Sequence, residues 1–131
     1  MLPLRYPRTW LVAGLVLLAA GLVTALSPGL PIGGGMFSDK FLHAAAFLFF
    51  MLWFGGVFEP RFAPLLVVGL SLYGLLIELL QSLTPTRQAE FRDLVADVAG
   101  VLLGWILSAA GLSGWCAKLE SWFLRLKPRA T

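Results

Sequence analysis

Glu78 and Gln81, three residues apart, stand inside the apolar run from Phe62 to Leu83. A carboxylate at membrane depth costs several kcal/mol unless something pairs with it, so an intramembrane acid marks a candidate functional site. The other ionisable residues collect at the starts of neighbouring apolar runs: Asp39, Lys40 and His43 at one, Arg87, Asp93 and Asp97 at another. These types allow three chemistries. His43 with Asp39, one helical turn apart, makes a general base, and Glu78 a candidate acid. Lys40, Gln81, Arg87, Asp93 and Asp97 offer binding contacts to charged or hydroxylated groups. A divalent cation held by Asp93, Asp97 and His43 is the third, with oxygen ligands favouring Mg²⁺ or Mn²⁺; no other cofactor is evident, and the sequence does not name a metal. Each residue also has a purely structural explanation. Asp39 fits a helix N-cap, and Asp93 a place near a helix dipole. His43 fits a packed histidine bonded to a carboxylate, and Glu78 and Asp97 fit a network that fixes helix register.

Elements must position these groups, and composition says which kind. Of 131 residues 59% are hydrophobic and only 13% charged, too few charges to solvate a globule of this size. Four runs are long enough to cross a bilayer: roughly Trp10 to Leu26, Phe41 to Phe58, Phe62 to Leu83 and Leu94 to Leu112. In lipid each backbone polar group must be satisfied within its segment, so the runs are helices. The expected fold is an all-α membrane bundle of four transmembrane helices, one domain over residues 1–131. The first run exceeds a signal-peptide core and Pro28 follows its end, so it reads as a retained helix. The single cysteine, Cys116, excludes an internal disulfide and a multi-thiolate metal site. No Ser, Cys or Thr lies in a recognised nucleophile motif, which disfavours acyl-enzyme chemistry. The glycines at 33–35 lack the context of a phosphate loop and read as a connector.

Charge sets orientation. Seven of the ten Lys and Arg residues fall at the termini or at the Glu59–Arg61 turn, and Lys40, Arg87 and Arg92 fall on the opposite side. The positive-inside rule then places both termini in the cytoplasm and the polar cluster on the extracytoplasmic face. Basic residues at the ends of apolar runs mark topology, so nucleic acid is not an expected partner. The tail from Trp115 to Leu126 repeats Trp115, Leu119, Trp122, Phe123 and Leu126 at helical spacing, with Lys118, Glu120, Ser121 and Arg125 between. It reads as an amphipathic helix lying in the cytoplasmic interface.

Three helices each carry a polar face at similar depth. The stripes are Asp39 with His43, then Ser71, Gly74, Glu78 and Gln81, then Asp93, Asp97, Gly100 and Gly104. Polar faces cannot point at lipid cheaply, so the three should converge on an extracytoplasmic pocket. Four carboxylates there cannot all stay charged without cations nearby, and Lys40 and Arg87 are the nearest. Gly100 and Gly104 form a Gly-x-x-x-Gly pair for helix packing, within the chain or in a homo-oligomer.

At these residues the chain resembles the VanZ-like family of small bacterial membrane proteins, named for a protein that raises tolerance to the glycopeptide teicoplanin. The resemblance rests on Asp39-Lys40-x-x-His43, Glu78-x-x-Gln81, Pro85, Arg87, Asp93 and Gly100, and covers roughly Ser38 to Trp105. Asp97 departs from the pattern, where Asn is usual. The resemblance implies a multi-pass protein of the bacterial cytoplasmic membrane, serving the cell envelope, in which these positions matter. It supplies no reaction. The polar residues support two expectations. One is recognition of a lipid headgroup, a lipid-linked wall precursor or a glycopeptide-like amphiphile. The other is a membrane-embedded enzyme acting on a lipid phosphate or ester by His/carboxylate chemistry.

Overall fold

The computed structural model describes residues 1–27, 36–85 and 90–126, with the backbone alone at 36–38 and 126. The glycines at 33–35 and Arg87 lie outside the described residues. The main helices are α1 (Pro7–Leu26), α2 (Met36–Val57), α3 (Ala63–Ser82) and α4 (Phe91–Leu107). Among the described residues four spans built on them, Pro7–Leu26, Asp39–Val57, Pro60–Ser82 and Phe91–Leu112, are long and apolar enough to cross a membrane. A 3₁₀ turn (Pro60–Phe62) joins α2 to α3, and a π turn (Ser108–Leu112) extends α4 before α5 (Trp115–Leu126). Among the described residues there is no strand.

Local chemistry sets the breaks. Proline opens α1, the 3₁₀ turn and the first turn of α3, where its missing N–H costs nothing. Thr84-Pro85 follows the end of α3, because the residue before a proline is pushed out of helical geometry. The chain reverses after α4 at Gly111, whose φ of +126° is left-handed territory that favours glycine. Two expectations shift. The second helix starts at Met36 rather than near Phe41, so Asp39 lies within its first turn and is not its N-cap. The fourth starts at Phe91 rather than near Leu94, which moves Asp93 into its first turn.

The helices alternate in direction. Contacts between α1 and α2 run oppositely, Trp10 beside Trp53 and Gly21 beside Phe50. Those between α2 and α4 advance together: Lys40 with Asp93, His43 with Asp97, Ala44 with Gly100, Gly55 with Ser108. Lipid tails supply no hydrophobic drive between helices, so close packing and polar contacts must hold the bundle. The α2–α4 seam shows how. A Cβ at Gly100 would collide with the Ala44 carbonyl, and one at Gly104 would sit 2.8 Å from Met51 Cβ and 2.9 Å from Leu48 O. Both glycines are therefore spent inside the chain, and the homo-oligomer contact they offered from sequence is already occupied. Around the seam Phe47, Phe50, Met51 and Phe54 of α2 bury against Leu70 and Ile77 of α3 and Val101 of α4. Outward-facing Leu, Val and Ile cover the rest of the bundle, as a lipid-facing surface requires.

The non-polar-cluster end is tied by backbone and by one acid. Leu2 N–H donates to Val57 O at 3.0 Å, and Gly114 N–H to Gly55 O at 3.3 Å. Glu120 of α5 accepts from Arg5 N–H (2.6 Å), Tyr6 N–H (3.0 Å) and Trp10 Nε1–H (2.8 Å). From sequence Glu120 is one of the polar breaks in an interfacial helix; here it holds the start of α1. Trp115 Nε1–H donates to Leu52 O at 2.9 Å and closes a cluster with Trp10 and Trp53. Trp122, Phe123 and Leu124 remain exposed beyond this docked part of α5.

Candidate functional site

The opposite end gathers the polar residues, because alternating direction brings the start of α2, the end of α3 and the start of α4 together. On α4, Asp93 and Asp97 are one turn apart and both buried, Asp97 at 0% exposure. The His43 ring stands between them: Nδ1 lies 2.9 Å from Asp97 Oδ1, and Nε2 lies 3.9 Å from Asp93 Oδ2. A carboxylate at Asp97 accepts only, so this contact is made with Nδ1 protonated and donating. Lys40 Nζ bonds Asp93 Oδ1 at 2.7 Å and Glu90 Oε2 at 2.9 Å. It therefore serves as the counter-ion of two acids. That hydrogen bond and charge from Lys40 hold the Glu90 carboxyl below its ordinary value.

On α3, Glu78 and Gln81 are both buried. Glu78 Oε2 accepts from the backbone N–H of Glu90 at 2.9 Å, which ties α3 to the segment leading into α4. Gln81 Nε2–H donates to Ala25 O at 3.0 Å, near the end of α1. Gln81 thus fastens the first helix, which the sequence left out of the cluster. Asp39 is exposed. Three buried acceptors have no hydrogen-bond partner among the described residues: Glu78 Oε1, Gln81 Oε1 and Asp97 Oδ2. Gly74 makes room for the last, since a Cβ there would sit 2.9 Å from Asp97 Oδ2.

The sequence-expected residues Asp39, Lys40, His43, Glu78, Asp93 and Asp97 are thus neighbours at one end, with Gln81 at the edge toward α1. Two features gave no sequence signal. The Glu90 backbone amide and the Ala25 carbonyl take part through main-chain atoms, which side-chain spacing cannot reveal. Glu90 itself partners Lys40 through its carboxylate and Glu78 through its backbone amide.

The arrangement is rich in acceptors. Unpartnered carboxylate oxygens in a dry setting bind hydrogen-bond donors or cations, because leaving them bare costs their full desolvation. The His43–Asp97 pair also has the geometry of an oriented base. Among the described residues the hydroxyls of Ser82 and Thr84 donate to Leu79 O and Gln81 O. A separate crevice of about 220 Å³ lies near the other end, lined by Phe49, Leu52, Trp53, Leu112 and Trp115, and carries none of this chemistry.

A family model described as VanZ/LLP1 matches residues 8–112. That stretch takes in all four membrane helices and every residue of the cluster. Neither the search of curated proteins nor that of solved structures gives a match.

Proposed function

The chain belongs to the VanZ/LLP1 family of membrane proteins, and we propose that its polar end is an extracytoplasmic receptor for the headgroup of an envelope amphiphile. The ligand class is a lipid, a lipid-linked wall precursor or a glycopeptide-like amphiphile. The observation that carries this reading is the gathering of charged side chains from three helices at one end of an otherwise apolar bundle. Lys40 is already engaged by Asp93 and Glu90. Among the described residues the remaining capacity is for donors, which favours ammonium and hydroxyl groups over bare phosphate. The excess of Lys and Arg at the other end supports placing both termini in the cytoplasm of a bacterial inner membrane.

The test is equilibrium binding to protein in nanodiscs, with metal chelated throughout. The probes are phosphatidylethanolamine, phosphatidylglycerol, a lipid-linked wall precursor and a lipoglycopeptide. The expected result is saturable binding of an amine- or hydroxyl-bearing probe that weakens roughly tenfold or more in Glu78→Gln and Asp93→Asn. Equal affinity in wild type and both variants rejects the reading.

The His43–Asp97 contact supports a second reading, a membrane enzyme acting on a lipid phosphate or ester. His43 is then the base and Glu78 the acid. Turnover lost in both His43→Ala and Glu78→Gln supports it, and turnover retained in the double variant rejects it.

A further inference from the structure

We propose that His43, Glu78 and Asp97 form a binding site for one first-row divalent cation, of the Mn²⁺ to Zn²⁺ type, within the polar end of the bundle. The three residues come from three helices, and their ligand atoms all lie within 4.8 Å of one another. Metal–ligand bonds of about 2.0–2.2 Å place donor atoms roughly 3–4.4 Å apart, so small rotamer changes close the shell. A second observation points to an ion independently. Glu78 and Asp97 are 6% and 0% exposed, and each aims one carboxylate oxygen at no hydrogen-bond donor among the described residues. Two carboxylates and a neutral imidazole that ligates through Nδ1, its proton displaced from the Asp97 contact when the ion enters, cancel the charge of a dication, which removes the penalty for two anions buried at membrane depth.

The structure also discriminates between triads. Asp39, His43 and Asp93 are equally close together, but Asp39 is exposed and Asp93 is bonded to Lys40. Asp93, a ligand in the sequence-based set, is therefore replaced by Glu78. An imidazole nitrogen in the donor set favours transition metals over Mg²⁺ and Ca²⁺, which prefer all-oxygen shells. This proposal stands apart from headgroup recognition, since an ion can bind with no amphiphile present.

The experiment uses the full chain in detergent, purified without a histidine tag and stripped with chelator. Zn²⁺ and Mn²⁺ are titrated by calorimetry, and the Mn²⁺ or Zn²⁺ adduct is counted by native mass spectrometry. His43 is the only histidine in the chain, so ¹⁵N-histidine labelling gives a single-residue spectroscopic report of metal contact. The expected result is one ion per chain, a perturbed His43 signal, and affinity reduced roughly tenfold or more in His43→Ala, Glu78→Gln and Asp97→Asn. Glu59→Gln, at the other end, should bind as wild type does. Circular dichroism of the stripped variants separates loss of ligand from loss of fold, and Glu78→Asp, which keeps a carboxylate, should retain partial affinity. No stoichiometric ion, equal affinity for Mg²⁺, or greater weakening in Asp39→Asn than in Glu78→Gln overturns the proposal.

Discussion

Replacing Gly100 by alanine should loosen the bundle and the site together. The new Cβ meets the Ala44 carbonyl of α2, which is backbone and cannot swing aside. Overpacking of this kind costs about 1–3 kcal/mol, and a backbone obstacle places Gly100→Ala toward the upper part of that range. Relief requires α4 to move away from α2. The bonds His43–Asp97 at 2.9 Å and Lys40–Asp93 at 2.7 Å lie along the same seam. A separation of about 1 Å lengthens both beyond hydrogen-bonding range. Gly104→Ala should also destabilise but cost less, since its built Cβ overlaps less deeply, 2.8 Å from Met51 Cβ and 2.9 Å from Leu48 O. Gly69→Ala is the control: nothing lies within 4 Å of its built Cβ, so it should be neutral or gain up to about 1 kcal/mol of helix propensity. Equilibrium unfolding in mixed micelles, titrated with SDS, gives the order directly. If Gly100→Ala proves as benign as Gly69→Ala, the seam is not packed as described and the reasoning from it to the site fails.

Three further outcomes follow from the ends of the bundle. Burial pushes the Glu120 carboxyl up, but the donors from Arg5, Trp10 and Tyr6 outweigh it and leave it below its ordinary 4.5. A depressed folded value means the stabilisation is present above that ordinary value and lost as pH falls through the folded one. Melting temperature should therefore drop on acidification below about pH 4.5, and this drop should shrink in Glu120→Gln. Lys40→Gln should destabilise the fold by leaving Asp93 buried without its cation, and Asp93→Asn in the same chain should recover much of the loss in thermal melts. Cys116 is fully buried and burial pushes its thiol up to about 12, so maleimide should not label it from either side of the membrane. That silence leaves a clean background. An impermeant maleimide added to intact cells should label Asp39→Cys and spare Arg61→Cys, and the reverse pattern would invert the topology.

The membrane class and the four helices were legible because hydropathy and length decide them with no tertiary information. The stripes on α3 and α4 were legible as well, since helical spacing alone aligns Gly74, Glu78 and Gln81, and Asp93, Asp97, Gly100 and Gly104. What the sequence could not give is pairing. Lys40 reaches across to Glu90 and Asp93, fifty and more positions away, and Glu120 reaches back to Arg5 and Trp10. Helix starts were also misplaced. Met36-Phe37-Ser38 carries little periodic signal, so Asp39 looked like a cap when it belongs to the first turn. The oligomer contact offered by Gly100 and Gly104 was indistinguishable from an internal seam until α2 was seen against it.

The most direct measurement is the nitrogen spectrum of ¹⁵N-labelled His43 in nanodiscs, a single imidazole in the whole chain. In protein stripped of metal the account predicts a protonated Nδ1 shielded from solvent exchange, with a resonance that moves in Asp97→Asn and again in Glu78→Gln. An imidazole that exchanges freely and ignores both substitutions would contradict the gathering of these three side chains into one site.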